Sequence, residues 1–219
     1  VQKDQVLSFF ASRIQLPLSV LSETEQGYVE NLIRDLEKKV FGQNVVISKL
    51  AQKIGQRQKQ TPEVLKPNTF LFWGSSGSGK TLLAMELGEI LYENPKFFCR
   101  FDMGEYTDPH SVTRLLGSSP GYVGYQQGGQ LTEFVKRIPN AVLLFDSIHK
   151  CHTDIIRSLL PILEFGEITD NSGKKISFRH ATILFTVTTD SNFGSSSQKL
   201  IGFSSNKENQ EKNEDITQL

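Results

Sequence analysis

Gly74-Ser75-Ser76-Gly77-Ser78-Gly79-Lys80-Thr81 follows directly on the apolar run Phe70-Leu71-Phe72-Trp73 and leads into Leu82 to Tyr92, which is rich in good helix formers. The segment satisfies the pattern G-x-x-x-x-G-K-[ST] in full. A strand, a glycine loop and a helix N-terminus in that order make a phosphate cradle. Glycines let backbone N–H groups converge on the phosphates, Lys80 offers a point charge, and the Thr81 hydroxyl can ligate Mg²⁺. Gly74, Ser75, Ser76, Gly77, Ser78, Gly79, Lys80 and Thr81 are therefore the candidate residues for holding a nucleoside triphosphate with Mg²⁺.

Upstream of the loop, Ser22-x-x-Glu25 has capping-box form, and Tyr28, Val29, Leu32, Ile33, Leu36 and Val40 recur at helical spacing. Phe41-Gly42-Gln43 breaks that helix and a second runs from Val45 to Ile54, while Gln56 to Asn68, with Pro62 and Pro67, reads as a surface loop. Downstream, Phe97 to Asp102 reads as a strand, Gly117 to Gly129 as a glycine-rich loop, and Leu131 to Ile138 as a helix. Ala141 to Asp146 has the continuous apolar pattern of a buried strand. Ile155 to Phe165 is helical in spacing despite Pro161, and Thr182 to Val187 is a further apolar strand. Strands alternating with helices predict an α/β fold of three layers, α/β/α, with a parallel central sheet. The segment 1–22, interrupted by Pro17, reads as a linker, 23–190 as the α/β domain, and 191–219 as a polar, flexible tail.

At 219 residues the chain suits one such domain, and 37% hydrophobic residues, including 15 Phe, suffice for a core. Lys+Arg and Asp+Glu balance at 24 each, so no global field argues for nucleic acid or for a membrane surface. No apolar segment has the length that crosses a bilayer, so no membrane insertion is expected. Cys99 and Cys151 make no disulfide framework and suit a reducing compartment. His149-Lys150-Cys151-His152 crowds potential metal ligands, but neighbours in sequence rarely all face one ion, and no zinc site is expected there.

Asp146 ends a hydrophobic strand downstream of the phosphate loop. A carboxylate there is the expected partner of Thr81 in holding Mg²⁺, usually through water.

Beyond the loop, the chain resembles the Clp-type AAA+ unfoldases, and in particular the large subdomain of the second ATPase module of ClpA, ClpB and ClpC proteins. The resemblance is carried by Val40-Phe41-Gly42-Gln43, the GSSGSGKT loop, Phe101-Asp102-Met103-Gly104-Glu105-Tyr106 and Pro120-Gly121-Tyr122-Val123-Gly124-Tyr125. It continues through Gly128 to Glu133, Leu163-Glu164-x-Gly166-x-Ile168-Thr169-Asp170 and Phe178-Arg179. It implies an ATP-binding module that works with other Clp subunits in a hexameric ring and threads unfolded polypeptide substrates to a ClpP-like peptidase. Val40 and Phe41 would lie beside the adenine. Tyr122 and Val123 would sit on a pore loop, where an aromatic ring between glycines grips an extended chain by stacking and apolar contact. The Asn171 to Lys175 turn would lie near a second pore loop. Ile201-Gly202-Phe203 is similar to the tripeptide with which ClpA, ClpC and ClpX proteins dock on the peptidase, an element that ClpB-type disaggregases lack. The implied location is cytoplasmic or, alternatively, a plastid stroma.

Three features depart from that pattern. The family has Asp-Glu at the end of the Asp146 strand, where this chain has Asp146-Ser147. Serine is neither a base nor a charged water-orienting group at neutral pH, and loss of such a group costs about 10²–10⁴ in rate. His149 is the first candidate substitute. The family's sensor Asn falls either on Thr188, in an ungapped alignment, or on Asn192, with a short insertion. The small helical lid, with its arginine finger and second sensing Arg, finds no counterpart in these residues, as expected of a fragment or of a truncated protein. Two functional readings stand: an unfoldase module, or a non-hydrolysing ATP-binding subunit that stabilises or regulates a ring.

Overall fold

The computed structural model describes residue 9 and residues 25–57, 66–92, 94–118, 128–170 and 173–189. The expectations for the 1–22 linker (Phe9 apart), Tyr122, Val123, Asn192, Ile201-Gly202-Phe203 and the tail lie outside the described residues.

Two helices precede the sheet, α1 (Glu25–Glu37) and α2 (Asn44–Arg57). Then come β1 (Asn68–Ser75), α3 (Lys80–Tyr92), β2 (Phe98–Asp102), the short α4 (Ser111–Leu116) and α5 (Gln130–Arg137). They are followed by β3 (Val142–Asp146), α6 (Thr153–Phe165), the hairpin strands β4 (Glu167–Thr169) and β5 (Lys175–Ser177), and β6 (Thr182–Thr189). β1, β6, β3 and β2 lie side by side in that order, and each neighbouring pair is parallel. β4 and β5 form a separate antiparallel pair. None of the described helices is long and apolar enough to cross a membrane.

The strand period of two sorts the core into layers. Val142, Leu144 and Leu184 face one side, where Leu32, Leu36, Ile47, Leu50, Leu83 and Leu87 from α1, α2 and α3 cover them. Leu143, Phe145, Ile183 and Phe185 face the other, against Leu115, Leu131, Val135, Ile155 and Leu159 of α4, α5 and α6. Phe101, Phe145 and Phe185 stack across neighbouring strands of that second face, with centroids 5.3 and 5.2 Å apart. The three-layer expectation is met.

The structure departs from the sequence reading at the edges of elements. α1 stops at Glu37, and Val40 is buried in the connection rather than in the helix. β2 begins at Phe98, because Asn94 caps a single 3₁₀ turn at Pro95–Phe97 by accepting from Lys96 N at 3.0 Å. α6 runs unbroken through Pro161, and the left-handed Gly166 (φ 70°) ends it.

These connections bring the C-terminal ends of β1, β3 and β6 together at one edge of the sheet. Parallel open sheets place their ligand sites at that edge.

Candidate functional site

The phosphate loop leaves β1 at Ser75, and α3 begins at Lys80. Gly77 (φ 78°) and Gly79 (φ 87°) hold left-handed backbone that an L side chain would strain, which is why glycine stands at both. The Lys80 ammonium closes the loop on itself. It donates to Gly74 O at 3.0 Å, Ser75 O at 2.6 Å and Ser78 Oγ at 3.2 Å. Burial lowers its pKa, and the charge of Asp146 opposes that fall. From α2's side, Gln43 Nε2 donates to Ser78 O at 3.3 Å and ties that helix's start to the loop.

Asp146 is 6% exposed at the end of β3. Its Oδ1 accepts from Thr81 Oγ1 at 3.1 Å and from Thr186 Oγ1 at 2.5 Å. Its Oδ2 accepts from Arg100 Nε at 2.9 Å and Arg100 Nη2 at 2.6 Å. Burial raises the carboxyl's pKa, but hydrogen bonds from Thr186, Arg100 and Thr81 and the Arg100 charge outweigh it, and the net shift is downward. The group is an anion at neutral pH. Thr186 also accepts from Ser147 N at 2.8 Å, so one buried hydroxyl links the end of β3 to β6.

The Thr81 hydroxyl and the Asp146 carboxylate meet at 3.1 Å beside a helix N-terminus, and both offer hard oxygen donors. That donor chemistry fits Mg²⁺, and the structure brings together the two residues that the sequence pairs for it.

Ser147 is the one non-glycine residue with positive φ among the described residues (φ 59°, ψ 50°). His149 lies two residues on, exposed, in the 3₁₀ turn Ile148–Lys150. His152 and Cys151 use their polar atoms locally. His152 Nδ1 accepts from Asp154 N at 3.2 Å, capping α6, and Cys151 Sγ donates to Ile148 O at 3.1 Å. Thr188 sits on β6 opposite Gly74 and is half-buried.

A cleft of about 180 Å³ opens beside the loop, lined by Gln43, Val46, Leu71 and Trp73 together with Ser78 and Lys80. Its walls are mostly apolar, as suits a flat heteroaromatic base next to a phosphate cradle. Val40 is buried against α1 and α2, Phe41 is 83% exposed, and neither lines this cleft.

The sequence reading missed Arg100, Thr186 and Gln43. A signal existed for the first two. Arg100 is a lone cation in Phe98-Cys99-Arg100-Phe101, and Thr186 is a lone hydroxyl in Leu184-Phe185-Thr186-Val187; a polar group inside an apolar strand needs a buried partner. Gln43 carried no such mark.

The chain matches the family model of the AAA domain (Cdc48 subfamily) over residues 66–219. It is 38% identical over 194 residues to the chaperone protein ClpB of Mycoplasma genitalium, a match covering 88% of this chain and 27% of the relative. It is 40% identical over 199 residues to the chaperone protein ClpB of Bacteroides thetaiotaomicron, covering 88% and 22%. Against the ATP-dependent Clp protease ATP-binding subunit ClpE of Lactococcus lactis it is 41% identical over 175 residues, covering 80% and 23%. The chain thus spans about a quarter of the length of the curated relatives it matches.

Proposed function

The chain belongs to the AAA domain family (Cdc48 subfamily), among the Clp-type AAA+ ATPases, and on that premise we propose that it is the ATP-binding module of a Clp-type protein unfoldase that turns ATP over slowly. The observation that carries this reading is the Lys80–Thr81–Asp146 arrangement: the glycine loop closes on the Lys80 ammonium, and the Asp146 carboxylate at the end of β3 accepts from the Thr81 hydroxyl at the start of α3. Gly74 to Thr81 cradle the phosphates, and the cleft lined by Val46, Leu71 and Trp73 takes the base. Lys80 exchanges its loop carbonyls for phosphate oxygens, so the loop opens as the nucleotide enters. Thr81 and Asp146 would hold Mg²⁺, which when bound neutralises charge on the phosphate oxygens.

Slow turnover follows from Ser147. It stands in this site where the resemblance calls for a Glu, and its hydroxyl can neither take a proton nor hold an attacking water by charge. The same residue favours the second reading, a non-hydrolysing subunit that stabilises a ring powered by others. As parts of the first proposal, Tyr122 and Val123 grip unfolded polypeptide, other Clp subunits complete a hexamer, and Ile201 to Phe203 dock a ClpP-like peptidase. A cytoplasmic or plastid location accords with relatives that include a ClpB3 described as chloroplastic, from Arabidopsis thaliana.

The test is binding of a fluorescent ATP analogue to the full-length protein with Mg²⁺, wild type beside Lys80→Ala. The proposal expects saturable binding of which a component disappears in the variant. Identical binding curves would overturn the site.

A further inference from the structure

Arg100 is the charged residue at Asp146 that neither the loop motif nor the proposed function uses. It lies in the middle of β2, one strand away from Asp146, and its guanidinium spans the gap with two N–H groups on the same carboxylate oxygen, at 2.9 and 2.6 Å. Thr81 and Thr186 occupy the other oxygen. An ionised carboxylate offers about four lone-pair sites, and these contacts use all of them.

The donors are not equally able to leave. Thr186 is 1% exposed and is held in place by the Ser147 N–H that it also accepts. Thr81 is the hydroxyl that faces the metal in the proposed site. The Arg100 side chain is 46% exposed, so its head has solvent to turn into. A divalent cation that approaches Asp146, directly or through water, therefore either displaces Arg100 from Oδ2 or settles beside a positive charge. Conversely, where Arg100 stays, the buried carboxylate is already neutralised, and phosphates entering the loop meet less repulsion from it.

We propose that Arg100 is the built-in counter-cation of Asp146, a positioning residue that competes with Mg²⁺ for the carboxylate and sets how strongly nucleotide binding depends on the metal. The proposal rests on the nucleotide reading of the site. It implies two opposite effects of removing the guanidinium: metal is recruited more easily, and nucleotide without metal is held less well. A residue that merely supported the fold would weaken both together.

The experiment is titration of the full-length protein with a fluorescent ATP analogue in EDTA and across a MgCl₂ series. Wild type is compared with Arg100→Met, Arg100→Lys and Lys80→Ala, and only signal lost in Lys80→Ala is counted. Arg100→Met is expected to lower the half-saturating Mg²⁺ concentration roughly tenfold and to weaken binding in EDTA by a similar factor, the scale of one nearby charge. Arg100→Lys keeps the charge without the fork and is expected to stay close to wild type on both measures. If Arg100→Met does not fold, Arg100→Gln, which removes the charge while keeping N–H donors, is expected to show the same two shifts. An unchanged or increased Mg²⁺ requirement in the uncharged variants overturns the proposal. Absence of any Lys80-dependent binding in wild type at saturating Mg²⁺ would instead overturn the nucleotide site itself.

Discussion

Replacing Thr186 by Val changes almost no volume and removes the hydroxyl through which β6 holds the end of β3. Two hydrogen bonds go with it, the one Thr186 donates to Asp146 at 2.5 Å and the one it accepts from Ser147 N at 2.8 Å. A hydrogen bond to a charged group contributes about 1.5–3 kcal/mol, and an orphaned buried N–H costs about 1–3 kcal/mol. The two terms share one atom, and Thr81 and Arg100 keep Asp146 partnered, so they do not simply add. The expected loss is about 3 kcal/mol, or roughly 6–12 °C in Tm for a domain of this size. Scanning calorimetry of the full-length protein measures it. Thr186→Ser serves as control, because it keeps the hydroxyl and loses only a buried methyl, worth about 1 kcal/mol. A Thr186→Val protein melting within 2 °C of wild type (roughly 1 kcal/mol or less) would show that the hydroxyl does not hold β3 to β6, as would a Thr186→Ser protein equally destabilised.

Three further outcomes follow from the same geometry. Gly129→Ala would set a Cβ on the backbone of Leu116 and Gly117, which cannot swing aside as a side chain can, and should cost about 3 kcal/mol or more in urea unfolding. Ser147→Gly relieves left-handed backbone (φ 59°) and should raise stability by about 0.5–1 kcal/mol in the same assay; a loss would show that the Ser147 hydroxyl matters to the fold. The lowered pKa of Asp146 means that its contribution is fully present above the ordinary carboxylate value of 3.8 and disappears as pH falls through its lower folded value. The urea-midpoint gap between wild type and Asp146→Asn should therefore be constant from pH 7 to pH 5 and narrow only below about pH 4; a gap already closing near pH 6 would contradict the shift.

The parts of the molecule legible in the sequence are those where one residue type has one physical use. The glycines at 77 and 79 require left-handed backbone, a run such as Val142-Leu143-Leu144-Phe145 can satisfy both faces of a buried strand, and Asp146 at its end has nowhere to go but the sheet edge. What escaped the reading depends on tertiary neighbours. The six-residue helix Ser111–Leu116 is too short to show a period and is fixed by Leu115 packing under α5 and α6. The β4–β5 hairpin is only three residues per strand, and it is pinned by Asp170, which accepts from Lys174 N at 2.8 Å and pairs with Lys136 at 2.8 Å. Arg100 reached the site from a neighbouring strand, and only the register Asp102 to Asp146 shows how close it lies.

In the proposed function nucleotide is held here but turned over slowly, because Ser147 stands at the end of β3. This is tested most directly by steady-state phosphate release from the full-length protein, after subtraction of the Lys80→Ala rate, for wild type and Ser147→Glu. Ser147 already occupies left-handed backbone, so Glu adds little new strain there. A low wild-type rate that rises about 10²-fold or more in Ser147→Glu is the predicted result. A high Lys80-dependent rate in wild type, unchanged or reduced by the Glu, would contradict it.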